Sequence, residues 1–343
     1  VDEAVVVEEL VKRYQPNMPP AVDGLSFSVA AGEVFGLLGP NGAGKTTTIG
    51  VLTTRVRATS GRAFVCGADV ARSPATARQL LAVVPQRVNL DRALTVRQNL
   101  LFHSAYHRVS RSVRTKRADE LLEQMGLKEF ANARTDFLSG GLAQRTMIAR
   151  ALMHAPRVLF LDEPSGGLDP QSRLFVHERI AELKQAGVTV VVTTHDMDEA
   201  EKLCDRVGIV DHGKLLTLDT PAALTRTLPG SSTLTLVVAA GAPAEEVQAA
   251  LGNVPDIERV ERLRAGGAPG GMPMFPGMPP APEPPADPNA TLSFRLYTGS
   301  APANAVPMAL KILTDLGCEV RDLSIGQPSL EDVFIHLTGK ELR

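Results

Sequence analysis

Cysteine is scarce: the 343 residues hold only Cys66, Cys204 and Cys318, scattered and without a Cys-x-x-Cys pair. That argues against a disulfide framework and against a zinc site, and makes a reducing compartment the expectation. Long apolar runs are missing too. The longest, such as Val188-Thr-Val-Val-Val192, fall far short of the roughly 18–20 residues of a membrane-crossing helix. Any action at a membrane therefore calls for a partner that spans it. The first residues, Val1-Asp-Glu-Ala, do not read as a secretory leader. Nor is there a charge excess. A formal net charge of -2 gives no footprint for nucleic acid or another polyanion. What is there is the composition of a globular protein, 44% hydrophobic and 22% charged. The chain is long enough for two domains.

Two compositional events divide it. Leu228-Pro-Gly-Ser-Ser232 is a turn-rich break that ends a long α/β pattern, so domains are expected at 1–229 and 230–343. Residues 265–290 hold nine prolines, five glycines and three methionines, with Glu283 and Asp287 the only charges. Such a stretch cannot continue a helix or a central strand and reads as an extended loop.

In the first block, Val34-Phe-Gly-Leu-Leu38, Val158-Leu-Phe-Leu161 and Val188 to Val192 are short, apolar and rich in β-branched residues, as buried parallel strands are. The pattern turns helical between Thr95 and Gly126, which predicts a helical subdomain over about 87–155. After Gly230 the order is strand (233–239), helix (243–251), strand (257–263), then the proline-rich loop. Strand (291–297), helix (303–316), strand (318–325) and a last helix (329–337) follow. This βαβ–loop–βαβ order suits a small ferredoxin-like α+β domain.

The chemistry begins at Gly39, Pro40, Asn41, Gly42, Ala43, Gly44, Lys45 and Thr46, a full match to G-x-x-x-x-G-K-[ST], with Thr47 next. Glycines let the loop turn its N–H groups around the β- and γ-phosphates of a nucleotide, and the following helix adds its positive end. Lys45 supplies a point charge to the same phosphates, and the Thr46 hydroxyl is placed for Mg²⁺. An apolar strand before the motif and a helix after it are the context this mechanism needs.

Asp162 and Glu163 end the strand 158–161. An acid at the end of a strand neighbouring the loop can reach Mg²⁺ through its water shell, which suits Asp162. Glu163 is then free to take a proton from the attacking water or to orient it. His195 and Gln86 close two further strands at the edge where ligands bind in parallel sheets, and His195 is read as a γ-phosphate contact.

Gly39 to Thr46, Gln86, Leu138-Ser-Gly-Gly141, Leu159 to Pro164, Ser165-Gly-Gly-Leu-Asp169 and His195, in this order, resemble the nucleotide-binding domain of ABC transporters over about residues 3–228. Leu138-Ser-Gly-Gly141 discriminates most, because other P-loop ATPases lack it. The resemblance implies a RecA-like core with a helical subdomain, ATP and Mg²⁺ as ligands, and ATP hydrolysis. It implies a head-to-tail dimer in which each ATP lies between the P-loop of one copy and Ser139, Gly140 and Gly141 of the other, with Asp169 communicating across the interface. By the same resemblance Gln86 joins Thr46 and Asp162 at the metal, and Tyr14 stacks on adenine.

One position departs from the pattern: Leu142 follows Gly141 where glutamine is usual, which removes a polar contact near the nucleotide. The stretches Met197 to Arg206, Pro328 to Phe334 and Val84 to Asp91 look like the daunorubicin-resistance and nodulation-factor exporter ATPases. That branch carries a small extra domain and pairs with a separate permease. The expectation is thus a peripheral subunit on the cytoplasmic face of the cell membrane, a homodimer with a permease partner and no nucleic acid, powering export of a hydrophobic drug, lipid or lipid-linked glycan. Leu90, Leu94, Val96 and Leu100 are candidates for an apolar surface that receives a permease helix, with packing inside the helical subdomain as the alternative. The rival is a soluble ATPase of the same family acting on ribosomes or DNA, but there is one cassette and neither heptads nor a cysteine cluster. A P-loop kinase or GTPase would leave Leu138 to Gly141 unexplained.

Overall fold

The structure, a computed structural model, describes residues 2–228, 230, 232–239, 241–263, 291–299 and 302–338. The loop expected at 265–290 lies outside the described residues. The chain forms two compact units, Val1–Pro221 and Ala222–Arg343. The division falls ahead of the 229/230 boundary expected from composition. The last strand of the first unit ends at Asp219, so the short helix that starts at Pro221 falls at the division and not inside the first unit.

The first unit is built on two sheets. One is six-stranded: β3 (Val34–Leu38), β6 (Leu81–Val84), β7 (Val158–Asp162), β8 (Thr189–Thr194), β9 (Arg206–Asp211) and β10 (Lys214–Asp219), in the order β10-β9-β3-β8-β7-β6. All its pairings are parallel except β9 with β10. β3, β7 and β8 are buried at every residue, which is why their central residues are apolar without alternation. β7 is not adjacent to β3, as a neighbouring-strand reading of Asp162 would have it, because β8 runs between them.

The second sheet was not legible in advance. β1 (Glu3–Lys12), β2 (Val22–Ala30), β4 (Ser60–Val65) and β5 (Ala68–Asp69) pair antiparallel in the order β2-β1-β4-β5. One buried apolar cluster joins this sheet to the first, with Val5, Leu10, Phe27, Phe35, Ile49, Phe160 and Val191 among its members. Phe27 and Phe35 stack across it with ring centroids 5.2 Å apart.

Helix α1 (Lys45–Leu52) follows β3, and α2 (Pro74–Leu80) leads into β6. Between β6 and β7 the chain is helical: α3 (Val96–Tyr106), α4 (Arg111–Gln124), α5 (Gly140–Ala151), and single turns at Thr135–Phe137 and Leu152–His154. α3 starts at a capping box in which the Thr95 side chain accepts from the Gln98 N–H and the Gln98 side chain accepts from the Thr95 N–H. Leu90, Val96 and Leu100 are buried here and Leu94 is half-buried, so these side chains pack the subdomain and do not form an open surface. Val88, Phe102 and Tyr106 are exposed apolar side chains near these residues, and Val113, Phe130 and Phe137 are exposed elsewhere in the subdomain. α6 (Pro170–Gln185) and α7 (Met197–Leu203) complete the unit.

The second unit, after α8 (Pro221–Thr225), comprises β11 (Ser232–Ala239), α9 (Ala244–Gly252), β12 (Ile257–Leu263), β13 (Thr291–Thr298), α10 (Pro302–Asp315), β14 (Glu319–Gly326) and α11 (Leu330–Thr338). Its sheet order is β12-β13-β11-β14, antiparallel throughout, which is the ferredoxin-like arrangement. Leu234, Leu236, Phe294 and Leu296 meet Val247, Leu251, Ala309 and Leu313 of the helices in a second apolar core. The buried Tyr297 hydroxyl donates to Glu261 Oε2 at 3.0 Å, and Arg295 pairs with Asp332 of α11.

Candidate active site

The turn between β3 and α1 is shaped by positive backbone angles. Gly44 has φ +103°, and a Cβ there would sit 2.4 Å from the Ala21 carbonyl oxygen, so the position admits only glycine. Pro40 to Thr47 line a cavity of about 280 Å³ with Ala21, Gln86 and Glu163. Lys45 is buried and folds back on the loop. Its Nζ donates to the carbonyls of Gly39 at 2.6 Å and Pro40 at 3.1 Å. Burial lowers its pKa, against the pull of Glu163 and Asp162.

Carboxylates at and just after the end of β7 meet the loop, and Glu163 lines the cavity. The Thr46 hydroxyl donates to Asp162 Oδ1 at 3.2 Å. The same oxygen accepts from Thr193 Oγ1 of β8 at 2.6 Å. The intervening strand thus supplies the hydroxyl that holds Asp162 in place. Thr193 was missed from the sequence, where it reads as one more β-branched strand residue. Its signal was a hydroxyl at the last positions of a fully buried strand, where a lone polar group needs a partner.

Glu163 stands at the centre. Its φ is +48°, a left-handed value uncommon for a side chain of this size, and its N–H donates to both the carbonyl and the hydroxyl of Thr193. The turn aims the carboxylate at three partners. Gln86 Nε2 donates to Oε2 at 2.8 Å, His195 Nδ1 lies 3.4 Å from Oε1, and Lys45 Nζ lies 3.9 Å from Oε1. Strained backbone at a polar cluster of this kind is a mark of function. Tyr14 is exposed beside the loop. Its hydroxyl is 3.4 Å from Thr47 Oγ1, and Lys12 Nζ sits 4.9 Å from its ring centroid.

Ser139, Gly140, Gly141 and Asp169 do not line this cavity. They lie together at the starts of α5 and α6. Ser139 caps α5, its Oγ accepting from the Leu142 N–H at 3.3 Å, and both Ser139 and Gly140 are exposed. Asp169 caps α6 and accepts from the Ser172 N–H at 2.9 Å. Hydrogen bonds from the Ser172 side chain and backbone hold its carboxyl below the usual range. Gly141 is buried against this cap, and a Cβ there would fall 2.2 Å from Ser172 Oγ. The signature and the start of α6 are therefore one packed unit.

A third polar cluster backs the site. Glu199 of α7 accepts from Thr194 Oγ1 at 2.7 Å and lies 3.0 Å from His177 Nε2, while Ser165 Oγ is 3.4 Å from that nitrogen. It ties the residues after Glu163 to the strand that ends at His195.

A glycine-rich phosphate loop with its lysine, a strand whose terminal acid reaches the loop and a parallel sheet behind define a P-loop NTPase. The ABC transporter family matches residues 22–166. The chain is 38% identical to the daunorubicin resistance ATP-binding protein DrrA2 of Streptomyces coeruleorubidus, over 98% of this chain and 95% of that one. It is 36% identical to the linearmycin resistance ATP-binding protein LnrL of Bacillus subtilis, over 98% of each. Among solved structures, the ATP-binding subunit of an ABC transporter superposes with a TM-score of 0.61 at 28% identity, over 65% of this chain and 92% of that one. An ATP-binding cassette solved as a dimer in a post-hydrolysis state with ADP and Pi superposes with a TM-score of 0.58 at 27% identity, over 63% and 98%. The chain belongs to the ABC transporter ATP-binding proteins, and it is an ATP hydrolase of that family. Among the described residues no helix is long and apolar enough to cross a membrane.

Proposed function

We propose that this chain hydrolyses ATP at the P-loop cavity with Glu163 as the general base, and that the energy drives export of a hydrophobic compound through a separate permease. The observation that carries the reading is the Glu163 carboxylate. It is gathered by Gln86, His195 and Lys45 at the edge of the phosphate loop.

The residues present suit Mg²⁺. The donors around the loop mouth, the Thr46 hydroxyl, the Asp162 carboxylate and the Gln86 amide oxygen, are all hard oxygens, the ligand type this ion takes. Thr46, Asp162 and Gln86 would hold it, and bound there it would neutralise charge on the β- and γ-phosphates. The chain's own residues do the rest. Lys45 and the loop N–H groups bind the phosphates, Glu163 accepts the proton of the attacking water, and His195 contacts the γ-phosphate. Tyr14 offers an exposed ring for adenine.

Exposure of Ser139 and Gly140, off the cavity of their own chain, supports their use by a second copy. In that reading two identical chains close head to tail over two ATP molecules, and loss of the γ-phosphate lets them part. The relatives named for daunorubicin and linearmycin resistance support a hydrophobic drug-like cargo. The exposed Val88, Phe102 and Tyr106 are the apolar side chains offered to a permease helix on the cytoplasmic face of the membrane. Co-purification with a membrane protein, and stimulation of the ATPase by its cargo in lipid, tests the assignment. A folded complex that neither consumes ATP nor dimerises with it refutes the assignment.

A further inference from the structure

The low cysteine content argued against a zinc site, but the fold assembles imidazoles instead. His103 and His107 are one turn apart at the C-terminal end of α3, and His154 ends the turn that follows α5. One ring nitrogen of each lies within 4.8 Å of the others. The rings of His107 and His154 are parallel with centroids 3.7 Å apart, and His103 is 5.0 Å from His107 and 6.2 Å from His154.

His154 is oriented. Its Nε2 is 3.0 Å from the Leu81 carbonyl oxygen, so that nitrogen carries the proton. Its Nδ1 then holds the lone pair, and this atom is buried with no hydrogen-bond partner. A buried acceptor left unmade is costly in a native fold and calls for an occupant. A backbone carbonyl on the far nitrogen is also the usual device for setting the tautomer of a metal-binding histidine.

We propose that His103, His107 and His154, the last through Nδ1, form a binding site for a divalent metal ion of the zinc, nickel or copper type. Three neutral imidazoles select these ions over Mg²⁺ and Ca²⁺, which prefer oxygen. Burial favours the neutral, ligating form of all three rings, and the Arg150 charge reinforces this at His103. Arg150 is itself held by Asn89, with its Nη1 donating to the Asn89 carbonyl at 2.9 Å, and its charge opposes any cation here, which the three imidazole bonds must outweigh. Tetrahedral zinc with bonds of about 2.0–2.1 Å brings ligand nitrogens to about 3.4 Å apart. Because the His107 and His154 rings are stacked at 7° and His154 is held by the Leu81 carbonyl, the half-buried His107 ring must turn out of the stack to aim its lone pair at the ion. His103 also lines a cavity of about 500 Å³ with Phe102, Tyr106 and Arg150, which is the access path, and a water takes the fourth position. The ion would tie the end of α3 to the end of α5, the helix that begins at Ser139.

The test is titration of tag-free, nucleotide-free full-length protein with Co²⁺, read by its visible absorption, followed by displacement with Zn²⁺ in a calorimeter. One Zn²⁺ per chain and an intense tetrahedral cobalt band are expected. His103→Gln and His107→Gln should each weaken binding by roughly tenfold to 100-fold, while His212→Gln, at an exposed histidine outside the trio, leaves it unchanged. Retained ATPase activity shows that the His103→Gln and His107→Gln variants are folded. Absence of a saturable cobalt band, or equal affinity in the wild type and in both α3 variants, overturns the proposal.

Discussion

Replacing Glu163 by glutamine tests the assignment of the base. The change keeps the volume and leaves an oxygen to accept from Gln86, whose Nε2 donates at 2.8 Å. It removes only the charge and the proton-accepting ability. The backbone turn at φ +48°, fixed by two bonds from the Glu163 N–H to Thr193, is untouched. A positioned general base contributes about 10²–10⁴ in rate, or roughly 2.7–5.5 kcal/mol of barrier at 1.36 kcal/mol per tenfold. ATP affinity has no cause to fall. Lys45 keeps its bonds to the Gly39 and Pro40 carbonyls, and a negative charge beside the terminal phosphate is gone. Single-turnover phosphate release should therefore slow by at least about 100-fold while nucleotide binding, read by equilibrium dialysis, stays level or tightens. ATP should also shift the variant to a larger species in gel filtration. A rate within a few-fold of wild type would remove Glu163 from its role. Loss of binding would mean that the carboxylate positions Lys45 and does not act on water.

Lys45→Ala should abolish measurable ATP binding in the same dialysis experiment, and unchanged affinity would refute the phosphate cradle. Gly141→Ala sets a Cβ 2.2 Å from Ser172 Oγ, so a loss of about 1–3 kcal/mol in urea unfolding is expected, with rescue by Ser172→Gly. Thr193→Val removes the 2.6 Å hydrogen bond to Asp162 and should cost about 1.5–3 kcal/mol, the range for a bond to a charged group. Burial raises the Glu199 pKa, but bonds from His177, Ser165 and Thr194 outweigh it and leave the value below the ordinary 4.5. The sign follows: its stabilisation is full above pH 4.5 and is lost as pH falls through the lowered value, so Glu199→Gln should flatten the acid side of a urea-midpoint profile.

Sequence reading reached the parallel strands and the phosphate loop because both leave local marks. β3, β7 and β8 are buried on both faces, so their central residues form apolar runs without alternation, and the loop needs its glycines one by one. It failed on β1 and its neighbours because bulges break the two-residue period there. The register of β1 against β2 shifts three times, and Glu9 has φ +45°. The apolar reading of Leu90, Val96 and Leu100 had two outcomes, and only packing against the rest of the subdomain selected burial. Thr193 and the His103, His107 and His154 cluster were invisible for a different reason. The i, i+4 spacing of His103 and His107 is in the sequence, but His154, and Asp162 as the partner of Thr193, come from elements distant in the chain, so no spacing rule joins them.

β12 and β13 are antiparallel neighbours, with Leu263 facing Ser293 across the ladder. The strand ends on either side of residues 264–290 are therefore paired neighbours, and nothing in that pairing depends on how many residues lie between them. Chain-closure entropy grows by only about 0.6 kcal/mol per doubling of length, so a two- to four-residue turn in its place would gain roughly 2 kcal/mol at most. The same arithmetic makes this hairpin a port for cargo of the experimenter's choosing. A fluorophore, an affinity handle or a folded reporter spliced there would ride on the accessory domain without disturbing its strands.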